Sequence, residues 1–280
     1  MFQNFLIGLR EGLEAALIVG LLLAYVRKTG KSHLIPKIWM GVSLAVLVSL
    51  GFGALLTFGP RGLTFEAQEA IGGSLSIIAV GFVTWMIFWM AENSKHLSRE
   101  LGQKIDLVQA STGAVVLLAA LSVGREGLET ALFIWAASQS VGNGATALIG
   151  ALLGIALAVL LAWLIMRGAL KLNLGIFFRY TGLFLIFIAA GVLAYGVHDL
   201  QEAGILPGLN SLAFDISHLI APTSLLGTLL KAIFNFSPAT TWLEAIAWCT
   251  YVGIVLPLFM AKNRSKVVSP RTSPQPRTSS

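Results

Sequence analysis

The chain has 280 residues, 56% of them hydrophobic and 11% charged, with a formal net charge of +6 and one cysteine. So apolar a chain cannot clothe itself in polar surface, which excludes an ordinary soluble domain with its roughly one quarter of charged residues. The single cysteine, Cys249, excludes disulfides and a thiolate metal cluster. The positive balance does not point to nucleic acid, because it collects in alternate connections between apolar runs.

Those runs are about twenty residues long, enough to cross a hydrocarbon layer of about 30 Å. They predict seven membrane helices, over residues 4–26, 37–58, 71–91, 112–137, 146–166, 180–198 and 241–261. The first is not a cleaved signal: no basic stretch precedes it, no small-residue cleavage site follows, and three charges interrupt it. After it come Arg27, Lys28, Lys31 and Lys37; the third connection holds Lys95, Arg99 and Lys104, and the fifth Arg167, Lys171 and Arg179. The tail adds Lys262, Arg264, Lys266, Arg271 and Arg277, whereas only Arg61 and Lys231 fall on the opposite side. The positive-inside rule therefore places the N-terminus outside and the C-terminus in the cytoplasm. Trp135 and Trp242 are expected at the outer boundary, and Trp39, Trp89 and Trp163 at the inner one.

The segment Arg10-Glu11-Gly12-Leu13-Glu14 in the first run returns as Arg125-Glu126-Gly127-Leu128-Glu129 in the fourth. Each repeat unit therefore contains three helices, and three is odd, so the second unit must enter the membrane from the other side. The expected fold is all-α: two inverted three-helix repeats, over about 1–91 and 112–198, and a seventh helix over 241–261. An outer connection covers 199–240, the membrane domain ends at 262, and a disordered basic tail follows over 263–280. At 1.5 Å per residue, both glutamate pairs fall in overlapping layers of the outer half, about 10–15 Å below the surface for Glu11 and Glu14.

With 100° between residues, Arg10, Glu11 and Glu14 share one arc of their helix, as do Arg125, Glu126 and Glu129. A charge at the bilayer centre costs about 2.5–3.5 kcal/mol even on the lenient scales, so these six groups must face one another or water. Two arginines cannot neutralise four glutamates. The surplus of negative charge demands bound protons or a cation, and carboxylate oxygens without sulfur ligands select a hard one. Small residues at Gly8, Gly12, Ala16 and Gly20 form a ridge for close helix packing.

The outward connections hold further candidates: Glu66, Glu69, His198, Asp199, Glu202, Asp215 and His218. A mouth rich in carboxylates would concentrate cations. Glu66 and Glu69 are also explained by the dipole at a helix start, and Asp215 and His218 read as one face of a short interfacial helix. Glu244 reads as a side chain reaching out to water.

Two Arg-Glu-X-X-Glu motifs, in the first and fourth of seven helices, resemble the oxidase-dependent iron permeases, in their bacterial EfeU-like branch. Thr84-Trp85-Met86-Ile87-Phe88-Trp89-Met90, Leu172-Asn173-Leu174-Gly175, Glu202-Ala203-Gly204 and Ala213-Phe214-Asp215 extend the likeness over nearly all of residues 1–260. The resemblance implies a permease, not an enzyme, in which Glu11, Glu14, Glu126 and Glu129 bind iron, expected as Fe3+, while Arg10 and Arg125 balance charge. It also implies separate periplasmic proteins that oxidise or deliver the iron. The competing readings are another hard cation such as Mn2+ or Mg2+, a proton-coupled carrier, or a scaffold. An intramembrane enzyme finds no nucleophile–base pair, zinc motif or phosphate loop beside the glutamates.

Overall fold

The computed structural model describes residues 1–28, 30–93, 112–141, 144–169, 174–220, 224, 227, 230 and 237–264. Lys95, Arg99, Lys104, Lys171, Lys231 and the tail from residue 265 lie outside them. Among the described residues are seven α-helices: α1 (Phe2–Lys28), α2 (Ile35–Phe58), α3 (Phe65–Asn93), α4 (Thr112–Val141), α5 (Gly144–Met166), α6 (Leu174–Glu202) and α7 (Trp242–Arg264). Two short strands, β1 (Leu212–Asp215) and β2 (Ala239–Thr241), pair antiparallel ahead of α7. Five helices are long and apolar enough to cross a membrane; α1 and α4, each interrupted by an arginine and two glutamates, are not among them. The chain is an all-α membrane protein, the architecture in which backbone groups bond within each segment and owe nothing to lipid.

The helices outrun the apolar stretches. α3 starts six residues before residue 71 and takes Glu66 and Glu69 into its first turns, and α6 ends at Glu202, four residues past 198. Hydropathy measures side chains, whereas a helix continues until its backbone is stopped. Gly204 stops α6: at φ +71° it lets the Gly204 amide donate to Gln201 O and the Ile205 amide to Leu200 O, both at 3.0 Å. This left-handed turn fixes His198, Asp199 and Glu202 on the last rigid turn of a helix.

Glycine sets the packing. α1 and α5 run parallel in close contact, Gly8 against Ala151 and Gly12 against Ile155 and Ala158. A Cβ on Gly8 would collide with the Ala151 carbonyl, and one on Gly154 with that of Phe5. α2 and α4 are the equivalent parallel pair, with Gly41 against Val116 and Ala119, and Gly127 against Ser49. α3 and α6 run antiparallel, Gly73 meeting Gly196 and Asp199 while Gly182 meets Ile87. Every one of these pairs joins the first three helices to the next three. Large apolar residues such as Leu47, Leu50, Leu55, Leu148 and Leu152 are more than half exposed on the outer faces of α2 and α5, as lipid-facing surface should be.

Trp135 is 6% exposed and joins the core with Phe133 and Ala136. One expectation changes. Asp215 ends a strand instead of lying on an interfacial helix: Leu212, Phe214 and Asp215 pair with Thr241, Thr240 and Ala239.

Candidate functional site

The two motif helices bring their acidic faces together inside the bundle. One carboxylate oxygen each from Glu11, Glu126 and Glu129 lies within 4.8 Å of the other two. Glu11 and Glu126 are 1% and 5% exposed. Glu14, equally buried, stands beside them on Arg10, with 3.6 Å between Oε1 and Nη2. Arg10 is itself buried; its Nη1 donates to Glu11 Oε1 at 3.3 Å and to Met86 Sδ at 3.1 Å, and its guanidinium stands 6.0 Å from the centre of the Phe178 ring. Arg125 is placed differently. Its Nε donates to Glu129 Oε1 at 2.9 Å, while its partly exposed guanidinium lies over Trp89 and Trp85, at 4.8 and 5.7 Å. One arginine is thus inside the cluster and the other braces it from the edge.

Oε2 of Glu11, Glu126 and Glu129 and Oε1 of Glu14 are buried without a hydrogen-bond partner. Unsatisfied carboxylate oxygens are costly to bury, and Glu11, Glu126 and Glu129, which approach one another, offer hard oxygen donors of the kind that suit a hard cation. No sulfur ligand competes, since Met86 Sδ is engaged by Arg10.

A second polar cluster sits where α3, α6 and α7 meet near the strand pair. His198 Nδ1 lies 2.8 Å from Glu244 Oε1 and its Nε2 3.4 Å from Glu202 Oε1; protonated on both nitrogens, the ring donates to both carboxylates. Asp199 is 2% exposed and shares side-chain hydrogen bonds with Glu69 and Tyr195. The Thr241 hydroxyl lies 3.0 Å from both Gln201 Oε1 and Glu244 Oε1. Of the expected mouth residues, Glu69, His198, Asp199 and Glu202 come together, whereas Glu66, Asp215 and His218 are exposed outside the cluster. Asp215 accepts from the Ser217 amide and hydroxyl, which hold its carboxyl below the usual carboxylate range. Glu244, expected to reach out to water, is instead 5% exposed at the centre of this network. Its signal was the Thr241-x-x-Glu244 spacing of a helix start, where Thr241 Oγ1 caps the Glu244 amide at 3.4 Å. Tyr195 carried no signal of its own.

Buried paired charges, small-residue helix crossings and lipid-facing flanks define a polytopic membrane protein with an ionisable interior. The chain belongs to the iron permease FTR1 family, whose model matches residues 1–268. It is 37% identical to the ferrous iron permease EfeU of Escherichia coli O6:K15:H31 (strain 536) over 97% of this chain and 100% of that protein. Its identity to the ferrous iron permease EfeU of Yersinia pestis is 36%, over 95% of each chain. A further relative at 37%, from Escherichia coli K12, covers 98% of this chain and all of its own and is named a putative inactive ferrous iron permease EfeU. No solved structure matches the chain.

Proposed function

We propose that this chain carries iron inward across the bacterial inner membrane, and that Glu11, Glu14, Glu126 and Glu129 form the site through which the ion passes. One observation carries this reading: three carboxylates from two helices converge in a buried pocket with unpartnered oxygens. Such a pocket is expensive in a membrane protein and marks an ion path by default. Arg10 and Arg125 set its charge. Four glutamates against two arginines leave a formal surplus of two negative charges, which a divalent ion neutralises, and the relatives are named for ferrous iron. Fe2+ is therefore the form proposed at the cluster; Fe3+, the expectation from the resemblance, is the alternative to be tested against it.

The helices form two inverted three-helix units and a seventh span. Support comes from the exchange of partners: α1 with α5, α4 with α2, and α3 with α6, the set a twofold axis in the membrane plane would generate. The N-terminus is outside, so the cluster of Glu69, His198, Asp199, Glu202 and Glu244 is the outer mouth, with Glu66, Asp215 and His218 around it. Separate iron-oxidising or iron-delivering proteins meet the chain on that side. The membrane potential, negative inside, favours inward movement by about 2.3 kcal/mol per charge per 100 mV.

The test is radioactive iron uptake into liposomes holding the purified full chain, supplied as Fe2+ under reductant or as Fe3+ citrate, with Mn2+ and Mg2+ as competitors. Glu11→Gln, Glu126→Gln and Glu129→Gln are each expected to lower the rate at least tenfold. Parent-like uptake in all three would reject the assigned role, and uptake of Mn2+ or Mg2+ in preference to iron would replace the cargo.

A further inference from the structure

The motif glutamates stand on α1 and α4, and Glu69, His198, Asp199 and Glu202 on α3 and α6. The same four helices enclose a cavity of about 20 Å³, and all eleven residues lining it are apolar. Its walls include Ile7 of α1, Phe133 of α4, Val80 of α3, and Ile188 and Val192 of α6, each at most 5% exposed. A cavity of this size has room for a water, but a buried water needs about three polar partners and finds none here, so the space is dry.

The order of residues along the walls places the cavity. On α3, Glu69 belongs to the second cluster, Val80 and Val83 line the cavity, and Met86 Sδ accepts from Arg10 Nη1 at 3.1 Å. On α6, which runs the other way, the Phe178 ring lies 6.0 Å from the Arg10 guanidinium, Ile188 and Val192 line the cavity, and Asp199 follows in the second cluster. Both helices thus pass from one cluster to the other through the cavity. Helical spacing also aligns the side chains. Ile7 and Glu11 are four residues apart, as are Phe133 and Glu129; Val192 and Asp199 are seven apart, and Val80 and Glu69 eleven, all spacings that return to one face within about 40°. The cavity therefore adjoins the motif glutamates, one turn away on α1 and α4, on the side towards the strand pair.

Helix packing shows where this space can open. Among the described residues, glycine meets the backbone of another helix at α1–α5, α2–α4 and α3–α6, as Gly8 does Ala151, Gly41 does Val116 and Gly73 does Gly196. Such contacts lock each pair, and none of them crosses from α3 or α6 to α1 or α4. The seam between the α3–α6 pair and the two motif helices is walled by apolar side chains instead.

We infer that this seam is the gate of the ion path, closed and dry in the structure, and that the parting of α3 and α6 from α1 and α4 limits the rate of uptake. An ion stripped of its water meets no oxygen there to replace it, and a hydrated ion does not fit. With the walls apart, water fills the gap and the ion reaches Glu11 and Glu129 one turn away. With the walls together, the glutamates are cut off from the side of the strand pair. The gate rests on the reading of those glutamates as the ion path.

The test is initial Fe2+ uptake into liposomes holding the full chain, comparing the parent, the double variant Val80→Thr/Val192→Thr, and Ala136→Val. Threonine places a hydroxyl where valine has a methyl, and bonded to the carbonyl one turn back it is tolerated in a helix; the wall becomes easier to wet. Valine at Ala136, a cavity-lining residue 2% exposed, fills the space and holds the gate shut. The threonine pair is expected to raise the rate at least threefold while its thermal midpoint in detergent holds or falls. Ala136→Val is expected to lower the rate at least threefold while its midpoint holds or rises. Both should bind Fe2+ in detergent within twofold of the parent. A threonine-pair rate less than threefold above the parent overturns the gate, because residues that only pack the core give no faster uptake when a hydroxyl loosens them. Should the pair fail to fold, Val192→Thr alone must still raise the rate at least twofold. Ala136→Val uptake that does not fall, or falls only together with the midpoint or with Fe2+ binding, also overturns it. Glu11→Gln, run in parallel, judges the glutamate path separately: parent-like uptake there rejects that path, whereas a loss there beside unchanged gate variants rejects the gate alone. A parent that moves no Fe2+ removes both.

Discussion

Arg10 and Arg125 occupy equivalent places in two copies of one motif, yet their surroundings differ. Arg10 is 1% exposed and shared among Glu11, Glu14 and Met86, whereas Arg125 has a 38% exposed side chain and stacks on two tryptophans. Removing Arg10 would leave two buried carboxylates without a counter-charge. Arg10→Leu is therefore expected to cost about 3 kcal/mol of stability, read as a lower thermal midpoint in detergent. Arg125→Leu should cost clearly less, because its ion pair is partly wet. Equal losses in the two variants would contradict the asymmetry. The motif itself was plain in the sequence, because a charged triplet stands out against apolar neighbours. The burial of Gln3 and Asn4, each 0% exposed, was not, since polar residues near a chain end look like a frayed helix start.

At the level of elements, the helices were visible because lipid demands long apolar runs, and their ends were misjudged because polar residues continue a helix as well as apolar ones do. α3 and α6 gained the turns that carry Glu69 and Glu202 in this way. The ridge of Gly8, Gly12, Ala16 and Gly20 marked α1 for tight packing but could not name its partner; the partner is α5, which supplies Ala151, Gly154 and Ala158. Gly154→Val is expected to cost about 1–3 kcal/mol or more, because the new side chain meets the backbone of α1 rather than a movable side chain. Gly51 has open space around its Cα, so Gly51→Ala should be neutral or stabilising by up to about 1 kcal/mol. Thermal unfolding of both in one detergent checks the pair, and a neutral Gly154→Val would deny the close crossing.

Among the described residues the molecule has two carboxylate clusters, one on the motif helices and one where α3, α6 and α7 meet, enclosed by helices whose outer faces are apolar. The proposed orientation puts the strand pair and the Glu69–Asp199 cluster outside the cell and the α1–α2 turn inside. With Cys249→Ala as background, a cysteine at Ser211 should react with an impermeant maleimide on intact spheroplasts, and one at Ser32 only after the membrane is opened. The opposite pattern would turn the pathway round.

Composition and pattern alone determined that this chain lives in lipid, that it is helical, and that the charges of its two motifs must face one another or water. Those conclusions need only the cost of charge and of unpaired backbone in hydrocarbon, which act on each segment independently of its neighbours. Tertiary structure alone decided that Glu11, Glu126 and Glu129 meet while Glu14 stands aside on Arg10, and that Glu244 joins His198 and Thr241 in the second cluster. Such outcomes depend on how each helix is rotated about its axis, which is set by the fit of glycine ridges between partners far apart in the chain.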